Sequence, residues 1–177
     1  MHHPINYFKT ENEKQKRAYK VIQSLHLMND LKEFTPILCG TIPLGIDVDS
    51  SDLDIIMEVN DFPRFEQKIR KLHSKHDNFK IKHTNIRGQK VIKANFFDRG
   101  FEFELFGQSQ PVFEQHAYLH MIIEQSLLEK IPYLKEKVIK LKKRGYKTEP
   151  AFCEVLGISG DPYDNLIIYG KNNGMIK

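Results

Sequence analysis

Apolar residues at Ala18, Val21, Ile22 and Leu25 recur at helical spacing within a charged stretch, predicting a first helix over residues 11–28 packed on a core. A short apolar run from Thr35 to Cys39 ends at Gly40 and predicts a strand. A second run, Asp52 to Val59, predicts another. Phe65, Ile69 and Leu72 then share one side of a helix from Asp61 to about His76, with Lys and Arg on the other side. Asp61 is placed to cap it, and Pro63 is tolerated in its first turn.

The middle of the chain changes period. Phe79-Lys-Ile-Lys, Val91 to Phe97 and Phe101-Glu-Phe-Glu-Leu-Phe alternate apolar with polar residues. Ile86-Arg-Gly-Gln and Asp98-Arg-Gly separate them as turn signals, so three antiparallel strands are expected. After Gly107 the spacing is helical again. Val112, Leu119, Ile122, Ile123 and Leu127 mark a helix over 112–128, and Pro132 to Arg144 marks a basic amphipathic one with Gly145 as its cap. Shorter helices are expected from Thr148-Glu149-Pro150 and from Asp161-Pro162, with Asp161-Pro-Tyr-Asp164 acting as cap and turn. The order predicts an α/β fold of the α+β type: a mixed, largely antiparallel sheet of about five strands with flanking helices. One domain over 1–177 is expected, with a sheet-containing core in 1–110 and a helical part in 111–177, since no repeat or linker interrupts the chain.

Composition narrows this further. Of 177 residues, 40% are hydrophobic and 11% aromatic, enough for a real core and too many for wholesale disorder. A net charge of +4 suits an anionic substrate such as a nucleotide but is too weak to demand nucleic acid. Cys39 and Cys153 lack metal or redox spacing and are expected as buried, reduced thiols. No apolar run approaches the ~18 residues of a membrane span. The start of the chain has no signal-type core, and His2-His3 is too short for a tag, so a cytoplasmic protein without membrane contact is expected.

Candidate chemistry concentrates between Leu38 and Glu58. Asp52 and Asp54 open a strand, where residues two apart point to one face and both carboxylates converge at the sheet's edge. Paired carboxylates are hard-cation ligands of the kind that hold Mg²⁺ against a phosphate, and their mutual repulsion is relieved by a cation. A third carboxylate is expected from Phe101-Glu102-Phe103-Glu104-Leu105, with Glu104 favoured over Glu102 because it lies nearer the strand's end. Upstream, Gly40 lets a phosphate approach the backbone, and Thr41 adds a hydroxyl donor. Ten residues separate Thr41 from Asp52. Ser51 could bind phosphate or serve as a cap, and the cap is preferred.

An apolar residue, Gly and a hydroxyl residue, followed by a loop of about ten residues and Asp-apolar-Asp-apolar, resembles the nucleotidyltransferase superfamily that includes DNA polymerase β and the antibiotic nucleotidyltransferases. Thr41 stands where that pattern usually has Ser. Gly40-Thr-Ile-Pro-Leu-Gly, Ser51-Asp-Leu-Asp-Ile, Glu104-Leu-Phe-Gly-Gln108 and Lys147-Thr-Glu-Pro-Ala-Phe152 resemble an uncharacterised bacterial branch of it, a domain-of-unknown-function family. The resemblance implies metal-dependent transfer of a nucleoside monophosphate from NTP to a hydroxyl of a small molecule or protein. Two Mg²⁺ ions, or Mn²⁺, would lie between Asp52 and Asp54, with Glu104 completing the acceptor side, and Gly40 and Thr41 would hold the β- and γ-phosphates. Nucleic acid is an admissible but unneeded partner. The alternatives are an RNA-end nucleotidyltransferase, or a catalytically silent nucleotide-binding or regulatory module such as half of a toxin–antitoxin pair. Base, acceptor and oligomeric state carry no signature in the chain.

Two further groups need placing. His116, His120 and Glu124 share a helix face at i, i+4, i+8, but Ala117 stands where a zinc peptidase needs Glu, so a cleft-lining or solvated face is expected. Lys135 to Lys147 holds seven cations, expected mainly as a solvated face, with Lys140 or Lys143 able to steer an anion. Lys147 is singled out for phosphate because a helix start follows it. Phe96, Phe97, Tyr118 and Tyr146 are candidates for base stacking, with core packing preferred for the two Phe.

Overall fold

A computed structural model describes residues 12–177. Helix α1 (Glu13–Ser24) opens with a reciprocal cap: the Asn12 side chain accepts from the Gln15 amide, and the Gln15 side chain accepts from the Asn12 amide. Ala18, Val21 and Ile22 are buried as expected. His26, at φ 51°, breaks the predicted helix, which resumes as the one-turn α2 (Leu27–Asp30). Residue 11 of that prediction, and the expectations about the chain's start, lie outside the described residues.

Strand β1 (Ile37–Cys39) runs into Gly40, and α3 (Thr41–Leu44) gives the predicted loop one helical turn. Strand β2 (Leu53–Glu58) follows, then α4 (Phe62–His73), where Asp61 accepts from the Arg64 amide. Strands β3 (Asp77–Ile86), β4 (Gln89–Asp98) and β5 (Phe101–Gln108) form two hairpins. Their turns, Arg87-Gly88 and Arg99-Gly100, have positive φ at both residues, the hand that matches the twist of flanking strands. The sheet order is β1-β2-β5-β4-β3, and only β2 and β5 pair parallel. Helices α5 (His116–Lys130), α6 (Leu134–Lys143), α7 (Thr148–Leu156) and α8 (Pro162–Asn172) complete an α/β architecture. Among the described residues no helix is long and apolar enough to cross a membrane.

Strand alternation divides the apolar residues between two faces. Leu53, Ile55 and Met57 of β2 join Phe103 and Leu105 of β5 in a core with Ile22, Phe65 and Ile69. Ile56 points the other way, packing with Cys39, Val112, Tyr118 and Met121. Ile46 plugs into a separate core of the helical half, among Ile123, Leu127, Leu134 and Phe152. Phe96 is stacked between Phe103 and His73 as a core residue. Its neighbour Phe97 is 40% exposed, which corrects the core placement expected for it: adjacent strand residues cannot share a face.

Candidate active site

The parallel ladder sets Asp54 directly beside Glu104, and the β1 ladder sets Cys39 on its other side. Because Leu53 and Ile55 take the core face, Asp54 is turned to the opposite one. Asp52 lies just before β2. Glu102 is exposed and lines a separate depression with Asn78, Phe79 and Phe97, whereas Glu104 lines the same cavity as Asp52 and Asp54. That cavity, about 780 Å³, also takes in Gly40, Thr41, Ser51 and Lys147, so the favoured carboxylates and the candidate phosphate-binding residues line one space.

The approach to the carboxylates depends on Gly40. Its φ of 83° is one that side-chain-bearing residues rarely adopt, and a Cβ there would collide with the Asp54 carboxylate. Beyond it, the Thr41 hydroxyl donates to Ser51 Oγ (3.1 Å), which also accepts from the Val48 amide (2.9 Å). The Ser51 side chain thus closes the loop on itself. Helix α1 braces the same loop: Gln15 Nε2 donates to the carbonyls of Ile42 and Pro43, and Lys14 Nζ to that of Val48.

Electrostatics mark the carboxylates as unsatisfied. Burial, then the charges of Asp52 and Glu104, raise the Asp54 carboxyl well above the usual carboxylate range. Asp52 is raised in turn by burial and by Glu104 and Glu102, against the opposing effect of Lys147. Glu104 has a partner: Lys93 Nζ lies 2.9 Å from its Oε1. Among the described residues no three His, Cys, Asp or Glu side chains are gathered into a metal-holding group. The donor set nonetheless fits a hard divalent cation, because it offers carboxylate oxygens whose repulsion a cation would relieve.

The facing wall is helical, and it brings Glu149, Lys142 and Tyr163 to residues already singled out from the sequence, among them His116, His120 and Glu124. His120 is buried, with Nε2 2.7 Å from the Tyr163 carbonyl and Nδ1 3.2 Å from Glu149 Oε1. Both neighbours offer oxygen acceptors to the two ring nitrogens. Burial would raise Glu149, but the hydrogen bond and charge of His120 outweigh it and leave this carboxyl lowered. His116 and Glu124 line the cavity with His120, which settles the face they share as cleft-lining rather than solvated. Glu124 is buried and raised by burial and by Glu149, and its Oε1 has no hydrogen-bond partner. Lys142 corrects the expected solvated face: it is buried and donates to the Ile46 carbonyl at 3.0 Å. Lys140 and Lys143 are exposed and do not line the cavity. Lys147 does, as the residue capping α7. Tyr146 lines the cavity at 39% exposure, while Tyr118 is buried. Lys93 and Lys142 could have been found from sequence only by knowing the strand register and the loop beneath α6.

The fold is that of nucleotidyltransferases. The chain is similar to the Cid1 poly(U) polymerase in its Mg 3′-dATP-bound structure, at 16% identity and a TM-score of 0.51, over 74% of this chain and 41% of that one. It is similar to the GLD-2/RNP-8 complex structure, at 13% identity and a TM-score of 0.54, over 79% of this chain and 57% of that one. A cytoplasmic RNA terminal U-transferase gives 16% and 0.50, over 77% and 41%. The chain therefore spans about two fifths to under three fifths of these structures. By sequence, residues 20–169 match the family described as Domain of unknown function (DUF4269), and the chain belongs to it. No curated protein matches the chain.

Proposed function

We propose that this chain moves a nucleoside monophosphate from an NTP to a hydroxyl of a small molecule or protein, releasing pyrophosphate. The observation that carries this reading is the side-by-side pairing of Asp54 and Glu104 on parallel strands, in one cavity with Asp52 and the Gly40-Thr41 turn. Asp52 and Asp54, with Glu104 beside them, would hold Mg²⁺ or Mn²⁺, which when bound supplies charge stabilisation for the attacking and leaving oxygens. Gly40 admits the β- and γ-phosphates close to the backbone, and Lys147 offers them a cation across the cavity. The acceptor oxygen attacks the α-phosphorus and its proton passes to the Glu104 carboxylate. The bond from the α-phosphorus to its bridging oxygen breaks, and pyrophosphate leaves with that electron pair.

A thermal-shift screen of the four NTPs with Mg²⁺ or Mn²⁺ tests binding, since a ligand of the folded state raises apparent stability. Pyrophosphate release then tests turnover, and Asp52→Ala is expected to abolish it. If no NTP binds with Mg²⁺ and Asp52→Ala behaves as wild type in cells, a catalytically silent regulatory module replaces this reading. The fold's likeness to a poly(U) polymerase and an RNA terminal U-transferase supports an RNA end as the second acceptor class. Strongly salt-dependent RNA binding would favour it.

A further inference from the structure

Lys93 is held at the carboxylate cluster from two sides. Its Nζ is 2.9 Å from Glu104 Oε1 and lies over the Phe106 ring, 5.3 Å from the centroid. The β4–β5 register explains the placement, because Lys93 pairs with Phe106 and so sits diagonally across from Glu104, with β5 between it and the strand of Asp54. We propose that Lys93 is the resident cation of this site, occupying the acceptor side so that one divalent ion, rather than two, completes it. This rests on the nucleotidyltransferase reading above and sharpens it.

Charge balance supports the assignment. Asp52, Asp54 and Glu104 carry three negative charges when ionised; the Lys93 ammonium and one divalent ion neutralise them. The same ammonium also offsets charge on Asp54, against the repulsion from Asp52 and Glu104. Lys93 engages one oxygen of Glu104, which leaves the other to receive the acceptor's proton. Unlike a metal, a lysine held by the fold needs no recruitment from solution.

The test is a titration of the full chain with Mn²⁺ alone, counting bound ions by electron paramagnetic resonance. Wild type is expected to bind one Mn²⁺, Lys93→Arg one, and Lys93→Met two, because removing the ammonium frees Glu104 to ligate. Lys93→Gln, with the same expected count as Lys93→Met, guards against a variant that fails to fold. Two ions on wild type would overturn the role of Lys93 while leaving the nucleotidyltransferase reading intact. A single ion on both the Met and Gln variants would overturn it equally. No ion on wild type would overturn the inference and the metal-dependent function together.

Discussion

The two walls of the cavity handle buried charge in opposite ways. On the helical wall charges are largely matched: His120 lies between Glu149 and a carbonyl, and Lys142 is spent on the Ile46 carbonyl. On the sheet wall Asp52 and Asp54 repel each other and Glu104, with the charges of Lys93 and Lys147 opposing them. A matched charge can be explained by folding alone, because burying it unpaired would be costly. An unmatched cluster destabilises the fold that carries it, which is the pattern of groups kept for a ligand. Glu124 is the exception on the helical side, a buried carboxyl with one unpartnered oxygen.

The sharpest way to break this contrast is Asp54→Asn. Activity should fall about a thousandfold or more, since a metal-stabilised transition state is worth several kcal/mol. Metal-free stability should not fall, and melting temperature should hold or rise, because the substitution removes repulsion. The pH dependence carries the same sign. A carboxyl raised in the folded state contributes most stability below its unfolded pKa and loses it as pH rises through the folded value. Metal-free wild type should therefore lose stability from this site as pH rises, and Asp54→Asn should flatten that slope in melting curves. A clear drop in melting temperature for the variant would place Asp54 with the fold-supporting charges instead.

Gly40→Ala should damage both properties at once. The residue needs a strained φ and a collision with Asp54 must be relieved, so a loss of about 3 kcal/mol is expected by chemical denaturation. Nucleotide affinity should fall with it, because the backbone could no longer approach a phosphate. Unchanged stability would show that the turn can rearrange and that its geometry is not what the carboxylates require.

The sheet wall was legible in the sequence because its chemistry is local. Asp52 and Asp54 are two residues apart, Gly40 ends an apolar run, and strand alternation alone puts Glu104 on a single face. What alternation could not decide was Glu104 against Glu102, since both share that face; the parallel register with β2 brings Glu104 beside Asp54. The helical wall was less legible because its partners are far apart in the chain. His120 meets Tyr163 and Glu149, and Lys142 meets Ile46, through contacts that only the packing of α5, α7 and the loop after α3 creates. Periodicity therefore placed Lys142 in a solvated run, although it is buried.

His120→Ala tests whether that wall is held by the contact between His120 and Glu149. Removing the imidazole leaves Glu149 and the Tyr163 carbonyl without their donor, at an expected cost of about 2 kcal/mol. The figure sits below that of a fully buried pair because Glu149 retains some access to solvent. The pH signature is opposite to that of the sheet wall. Glu149 is lowered in the folded state, so its contribution is present above its unfolded pKa and lost as pH falls through the folded one. Adding Glu149→Gln to His120→Ala should recover part of the loss, because the buried charge is then gone. Simple additivity of the two would show that the residues do not act as a pair.

Ser51→Ala is the mildest probe, and it separates two roles on the sheet wall itself. Its hydroxyl receives the Val48 amide and the Thr41 hydroxyl, so removing it leaves one backbone donor and one side-chain donor to find water. A loss of about 1 kcal/mol is expected, typical of a lost cap. If Ser51 only shapes the loop, KM for the NTP should move little, and Ser51→Thr, which keeps the accepting oxygen, should restore most of the stability. A tenfold rise in KM with stability unchanged would instead make Ser51 a phosphate ligand, adding a donor to a wall otherwise defined by its acids.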